Sequence, residues 1–148
     1  MSAKKQSSFY VYLNSASCKK YFSSNTSTSF RILLSKPIYL QGYWEVGLID
    51  ADFPNLQPNY DPDFITINSH ICEESISDDS LLPILCRIYK AELKRSQRPL
   101  RILQPVYIPI NTENLSSIDM YLKDDSGNSP SFGKGSLICT LHFRQCEK

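Results

Sequence analysis

Apolar and polar positions alternate with a period of two along most of this chain, the spacing that puts successive side chains on opposite faces of a strand. Phe9, Val11 and Leu13 fall on one face with Tyr10 and Tyr12 on the other. Phe30, Ile32 and Leu34 repeat the pattern before Lys36-Pro37 interrupts it. The strongest apolar segment runs from Tyr43 to Phe53, with Trp44, Val46 and Leu48 on a core face. Asp50 and Asp52 share that parity, so a flat strand would carry two carboxylates into the core, while Ala51 and Phe53 hold the opposite parity. A bulge near Gly47 that swaps the faces resolves the conflict. Phe64 to Ile67 is a short β-rich run. Ile118, Met120 and Leu122 alternate cleanly up to a turn at Asp124 to Asn128, and Leu137, Cys139, Leu141 and Phe143 face the core opposite Thr140, His142 and Arg144.

The middle of the chain reads less sharply. Ile71 to Pro83 is acidic and patternless. Ile84, Cys86 and Ile88 alternate as a strand, whereas Leu85, Ile88, Tyr89 and Leu93 would stripe a helix; the short apolar run among neighbouring strands favours the strand. Pro105 and Pro109 make Ile102 to Ile110 an edge strand or a broken one. The reading is an all-β chain of about eight antiparallel strands with little or no helix, the strand count of a single jelly-roll β-sandwich. Residues 1–7 form a polar, flexible N-terminal arm, and residues 8–148 form one domain.

Composition removes several classes of function. The formal net charge is +1, which gives no global pull toward nucleic acid or membrane. Two basic clusters, Lys4-Lys5 and Lys94-Arg95 with Arg98 and Arg101, read as solvated charge, with a weak DNA contact through Lys4 and Lys5 as the alternative. No apolar run approaches the ~20 residues of a membrane span, and no signal-like segment opens the chain, so the sequons at Asn25 and Asn114 are expected to stay unmodified. The five cysteines (18, 72, 86, 139 and 146) have no metal-ligand spacing and are expected to be free thiols in a reducing compartment.

Catalytic candidates fail on chemistry. His70 and His142 stand alone in sequence, so neither a metal site nor a cofactor is expected. Cys72 lies beside Glu73 and Glu74, whose carboxylates suppress the thiolate a nucleophile needs. Gly133-Lys134-Gly135 lacks the phosphate-loop pattern, and the pairs Asp50/Asp52 and Asp124/Asp125 read as strand end and turn. There is no sign of an enzyme. Tyrosines number nine, a surface chemistry suited to protein contacts, which leaves a structural protein or a cytosolic β-sandwich interaction module.

Three segments narrow that choice. Phe9-Tyr10-Val11-Tyr12-Leu13-Asn14 opens the first, which runs on through Trp44-Glu45-Val46-Gly47-Leu48. Val106 to Ile110 and Ile118 to Gly127 form the second, and Gly133-Lys134 with Leu141-His142-Phe143-Arg144 the third. Together they resemble the penton, or minor capsid, protein of Polinton (Maverick) elements and adintovirus-like viruses. The likeness covers both ends well and the middle, from about Asn55 to Gln104, poorly, where the relatives are longer and include a helical piece. It implies a single jelly roll forming homopentamers at the vertices of an icosahedral capsid, beside a double jelly-roll major capsid protein, in the virion. It implies structural roles for the shared residues: Trp44, Val46 and Leu48 on a core face, and Glu45 paired with a strand-borne cation such as Arg144 or Arg31.

Overall fold

The computed structural model describes residues 7–17, 21–94 and 99–146. Strands β1 (Ser8–Asn14), β2 (Ser29–Tyr39), β3 (Tyr43–Asp52) and β4 (Phe64–Asn68) open the chain. A hairpin of β5 (Ser75–Ser77) and β6 (Ser80–Leu82) follows, then β7 (Ile84–Tyr89) and the single-turn helix α1 (Lys90–Leu93). Two short segments, β8 (Leu100–Arg101) and β9 (Ile108–Pro109), precede the long strands β10 (Asn114–Asp124) and β11 (Ile138–Cys146). The chain is an all-β sandwich. One sheet has the order β1-β11-β3-β8 with β9 also against β3, the other β2-β10-β4-β7, and every named pair is antiparallel.

The inward residues of the two sheets form one core. Val46, Leu48, Leu141 and Phe143 from the first sheet meet Ile65, Ile67, Ile118, Met120 and Leu122 from the second, all essentially without solvent contact. Burying each such side chain contributes roughly 1.5–3 kcal/mol. This cluster is what makes the alternation of β1, β10 and β11 visible in sequence, since each strand has one face on it.

The face swap expected in β3 is present, two residues beyond Gly47. Leu48 pairs with Leu141 and Asp50 with Thr140, so Ile49 is the extra residue. Past it, Ala51 and Phe53 turn inward while Asp50 and Asp52 turn out. The carbonyl of Ile49 accepts from the backbone N–H of Ile102 at 2.9 Å, so the bulge also secures the segment that follows β8. Lys36-Pro37 does not end β2, but pairing with β10 skips from Leu33 to Ile38 across it. A positive φ of 85° at Gly42 makes the corner between β2 and β3, a conformation that a residue with a Cβ resists.

Three expectations need correction. The alternation through Ile84, Cys86 and Ile88 is broken by a register shift at Leu85, so Leu85 and Ile88 enter the core and Ile84 and Cys86 stay half-buried. The strand then yields to the helical reading for one turn, which buries Leu93. The patternless acidic stretch holds the β5–β6 hairpin, whose cross-strand pair Ile76 and Leu81 is exposed. Trp44 does not fill the core. It sits half-buried at the rim, its ring 5.5 Å from Phe9 and its indole N–H donating to the Gln41 carbonyl at 2.9 Å. Residues 1–6 of the expected N-terminal arm lie outside the described residues.

Candidate functional site

The pairing of β3 with β11 sorts the shared residues by face. Val46, Leu48, Leu141 and Phe143 point into the core, with Trp44 at its rim, while Glu45, Gly47, His142 and Arg144 lie together on the outer face. There Arg144 bonds the Glu45 carboxylate, the partner expected from sequence; Arg31, the other candidate, is on the opposite sheet near Phe22. Two further aromatic residues complete the cluster. The Tyr107 hydroxyl bonds His142 Nδ1 at 2.7 Å, and the Arg144 guanidinium lies 3.5 Å from the centre of the Tyr107 ring. Tyr10 stacks on His142 with ring centres 4.5 Å apart. Burial first, and Arg144 second, hold the His142 imidazole below its ordinary value, which favours the uncharged ring beside Tyr107.

This geometry explains the glycine. A Cβ built on Gly47 would stand 3.1 Å from the Tyr107 ring, tighter than ordinary contact, so the bare backbone is what lets Tyr107 lie flat on the sheet. Tyr107 belongs to the loop between β8 and β9, far from Gly47 in sequence, and no local pattern links the two. Gly133 and Lys134 are not part of the cluster. They lie before the start of β11, about 20 Å along the strand from Arg144 at ~3.3 Å per residue. The backbone N–H of Gly133 donates to the Asn55 carbonyl at 2.7 Å, and Lys134 is exposed.

A second polar cluster was not legible in sequence. His70 Nδ1 bonds the Asp119 carboxylate, which also accepts the His70 backbone N–H at 3.0 Å and the Ser69 hydroxyl at 3.4 Å. Tyr121 lies against the His70 ring at 5.2 Å, beside a groove of about 690 Å³ over the β2–β10 face. The three catalytic residue types are thus together, but in the wrong order. A nucleophilic serine needs its hydroxyl on the imidazole, and here Ser69 is fully buried and donates to the carboxylate instead. The arrangement fastens the chain leaving β4, with Asn111 Nδ2 donating to the His70 and Cys72 carbonyls at 2.8 and 3.2 Å.

The remaining candidates resolve into structure. Burial opposes ionisation of Asp124, yet the Tyr60 hydroxyl at 2.6 Å and the backbone N–H groups of Ser126 and Asn128 hold its carboxyl below the usual range. Burial first, and Asp124 second, push the Tyr60 phenol up. Asp124 is therefore a turn anchor, and Asp125 beside it is exposed. Among the described residues no group of three or more His, Cys, Asp or Glu side chains could hold a metal ion. Burial pushes the thiols of Cys72 and Cys139 up to about 12 and that of Cys86 to about 11, which suppresses the nucleophilic thiolate. These three and Cys146 are free thiols, and Cys18 lies outside the described residues. Lys94 bonds Asp61 at 2.7 Å, next to Lys90 on the same carboxylate at 3.1 Å, so it is half of an acid-base network and not an open phosphate patch. Arg95 and Arg98 lie outside the described residues. Asn25 is buried, its Nδ2 donating to the Ser17 and Arg31 carbonyls, which leaves the amide inaccessible in the folded chain. No helix among the described residues is long and apolar enough to cross a membrane. Compared with known protein families and with curated proteins, the chain matches none.

Proposed function

We propose that this chain is a penton, or minor capsid, protein of the Polinton and adintovirus type: a jelly roll that assembles as a homopentamer at the vertices of an icosahedral virion, against a double jelly-roll major capsid protein. The strand order carries the reading. With β8 and β9 taken as one interrupted strand and the β5–β6 hairpin set aside, eight strands remain. They pair first with eighth, second with seventh, third with sixth and fourth with fifth. One long antiparallel ribbon folded double would have this pairing, which supports reading the sandwich as a jelly roll, a form used in capsids. The outer-face cluster is consistent with a structural role, because its polar groups satisfy one another and present no reactive atom. Exposed Tyr12, Tyr39, Ile76 and Leu103 supply apolar surface for contacts between subunits. No catalysis and no cofactor belong to this role.

Co-expression with a double jelly-roll major capsid protein from the same genome tests it. The expected result is closed icosahedral particles with this chain at the fivefold vertices, and a homopentamer by native mass spectrometry. A strict monomer at high concentration that never enters the particles overturns the proposal in favour of a cytosolic interaction module. Stoichiometric zinc or iron in the purified protein overturns it in favour of an enzyme.

A further inference from the structure

The edges of the two sheets differ in how they are protected. The first sheet ends on β1 and on the β8 and β9 segments, the second on β2 and β7. Strand β2 carries Arg31, Lys36 and Pro37, and its pairing with β10 is interrupted. Strand β7 holds Arg87 and a register shift, and it runs into α1. Segments β8 and β9 are two residues each, and β9 contains Pro109. Charge, proline, irregular register and short length all keep a sheet edge from recruiting another strand. Strand β1 has none of them. Its seven residues are uncharged and free of proline, and they pair with β11 without a register shift.

The register shows which backbone groups of β1 stand open. The Gln145 N–H donates to the Ser7 carbonyl at 2.8 Å, and the Ser15 N–H to the Leu137 carbonyl at 2.9 Å. Both pairs continue the β1–β11 register at its two ends. Bonded pairs alternate in an antiparallel ladder, so Phe9, Val11 and Leu13 turn their N–H and C=O groups toward β11. Ser8, Tyr10, Tyr12 and Asn14 turn theirs outward. The Asn14 carbonyl is taken by the Ser17 N–H at 2.9 Å, where the chain turns away, whereas no described residue bonds the outward groups of Tyr10 and Tyr12. The side chains match this opening. Tyr10 and Tyr12 are 55% and 76% exposed on the outer face, and Phe9 and Val11 pack against the core yet stay half-buried at its border.

We infer that β1 is a dimerisation edge, which pairs antiparallel with β1 of a second copy across a twofold axis at Val11 and joins the two first sheets into one. In that register Tyr10 of each copy stands opposite Tyr12 of the other, and Ser8 opposite Asn14. Outward backbone groups then meet outward backbone groups along the strand, and a slip of one residue would set them against groups already used by β11. The partner strand is β1 itself because no other described edge is open, and an uncharged strand meets its own copy without like-charge repulsion. The contact does not rest on the capsid reading. A twofold pair closes at two copies, so it is distinct from the contacts of a fivefold ring.

Seven residues at ~3.4 Å each make an edge about 24 Å long and one strand deep, well short of the ~1,600 Å² of a standard interface. Sedimentation velocity of the full chain is therefore expected to show a reversible dimer at high protein concentration. Amide exchange identifies the edge by parity. The Tyr10 and Tyr12 N–H groups should slow as the dimer forms, roughly twofold at its midpoint because only the monomer exposes them, while Val11 and Leu13 stay slow throughout. Tyr12→Pro removes an outward N–H and spares the ladder to β11, so it should abolish the dimer. Tyr12→Lys changes only an exposed side chain and covers the case in which the proline variant does not fold. It should raise the dissociation constant roughly fivefold or more, since the symmetric contact loses two aromatic pairs. A chain that stays monomeric up to its solubility limit overturns the inference, and so does a dimer whose Tyr10 and Tyr12 amides stay fast. A pentamer with those amides still fast overturns it too and leaves the capsid reading standing; a dimer with both amides protected that never enters particles does the reverse.

Discussion

On the outer face of the first sheet, side chains attach a segment that the backbone holds at few points; on the outer face of the second, side chains fasten a corner that follows a long ladder. Segments β8 and β9 each meet β3 at only two residue pairs, and Tyr107 between them is held by His142, Arg144 and the bare backbone of Gly47. Strands β2 and β10 pair at seven positions, and there Asp119 serves the turn after β4. Similar groups, a histidine with a tyrosine and a carboxylate nearby, thus do different jobs according to how much backbone pairing is already present. Where prolines prevent a continuous edge strand, side-chain contacts replace the missing ladder.

Substitutions test the contrast, beginning with the one that should not respect it. Phe143→Ala removes a ring shared by the core and is expected to cost about 3–5 kcal/mol in urea unfolding, with both sheets lost in one transition. Separate transitions would show that the sheets are independent units. Gly47→Val is expected to cost about 1–3 kcal/mol by displacing Tyr107. Amide exchange should quicken at Ile102 and Ile110, the residues flanking the latch, and stay unchanged at Cys72. Uniform quickening would remove the case for a local latch.

Asp119→Ala should act on the other corner, costing roughly 1–2 kcal/mol through the acceptor lost to Ser69 and His70. Cys72, whose backbone N–H donates to the Ser69 carbonyl at 3.1 Å, should become more reactive toward a thiol reagent while Ile110 exchange holds steady. An unreactive Cys72 would mean that the ladder alone holds the corner. Tyr107→Phe keeps the ring over the sheet and loses only the bond to His142, so about 0.5–1.5 kcal/mol is expected. The smallest effect is on pH dependence. The folded value of His142 is lowered, so the unfolded chain takes up its proton first as pH falls. Stability should decline as pH drops from about 6.5 toward the folded value, and His142→Asn should flatten that decline. Asp124, also lowered, loses its contribution only as pH falls below about 4, which keeps the two windows apart. An unchanged slope in the asparagine variant would place the titration elsewhere.

Much of the fold was legible in the chain itself. Period-two alternation located β1, β10 and β11, because each has one face on the core and one toward solvent. The carboxylates at Asp50 and Asp52 announced the bulge in β3, since a buried pair of charges costs too much to be tolerated. The middle was less legible. A register shift at Leu85 and a single helical turn erase any clean period, and the β5–β6 hairpin exposes its apolar pair, so no core face marks it.

The candidate sites divide the same way. Pairing of Glu45 with a cation could be anticipated from charge and strand parity, but the choice of Arg144 over Arg31 came from sheet order. The places of Tyr107 over Gly47 and of Asp119 beneath His70 had no signal in sequence at all. Local pattern reports how each residue stands toward water, because that preference acts residue by residue. Which distant residues meet is set by strand order and register, and those are decided only when the whole core closes at once.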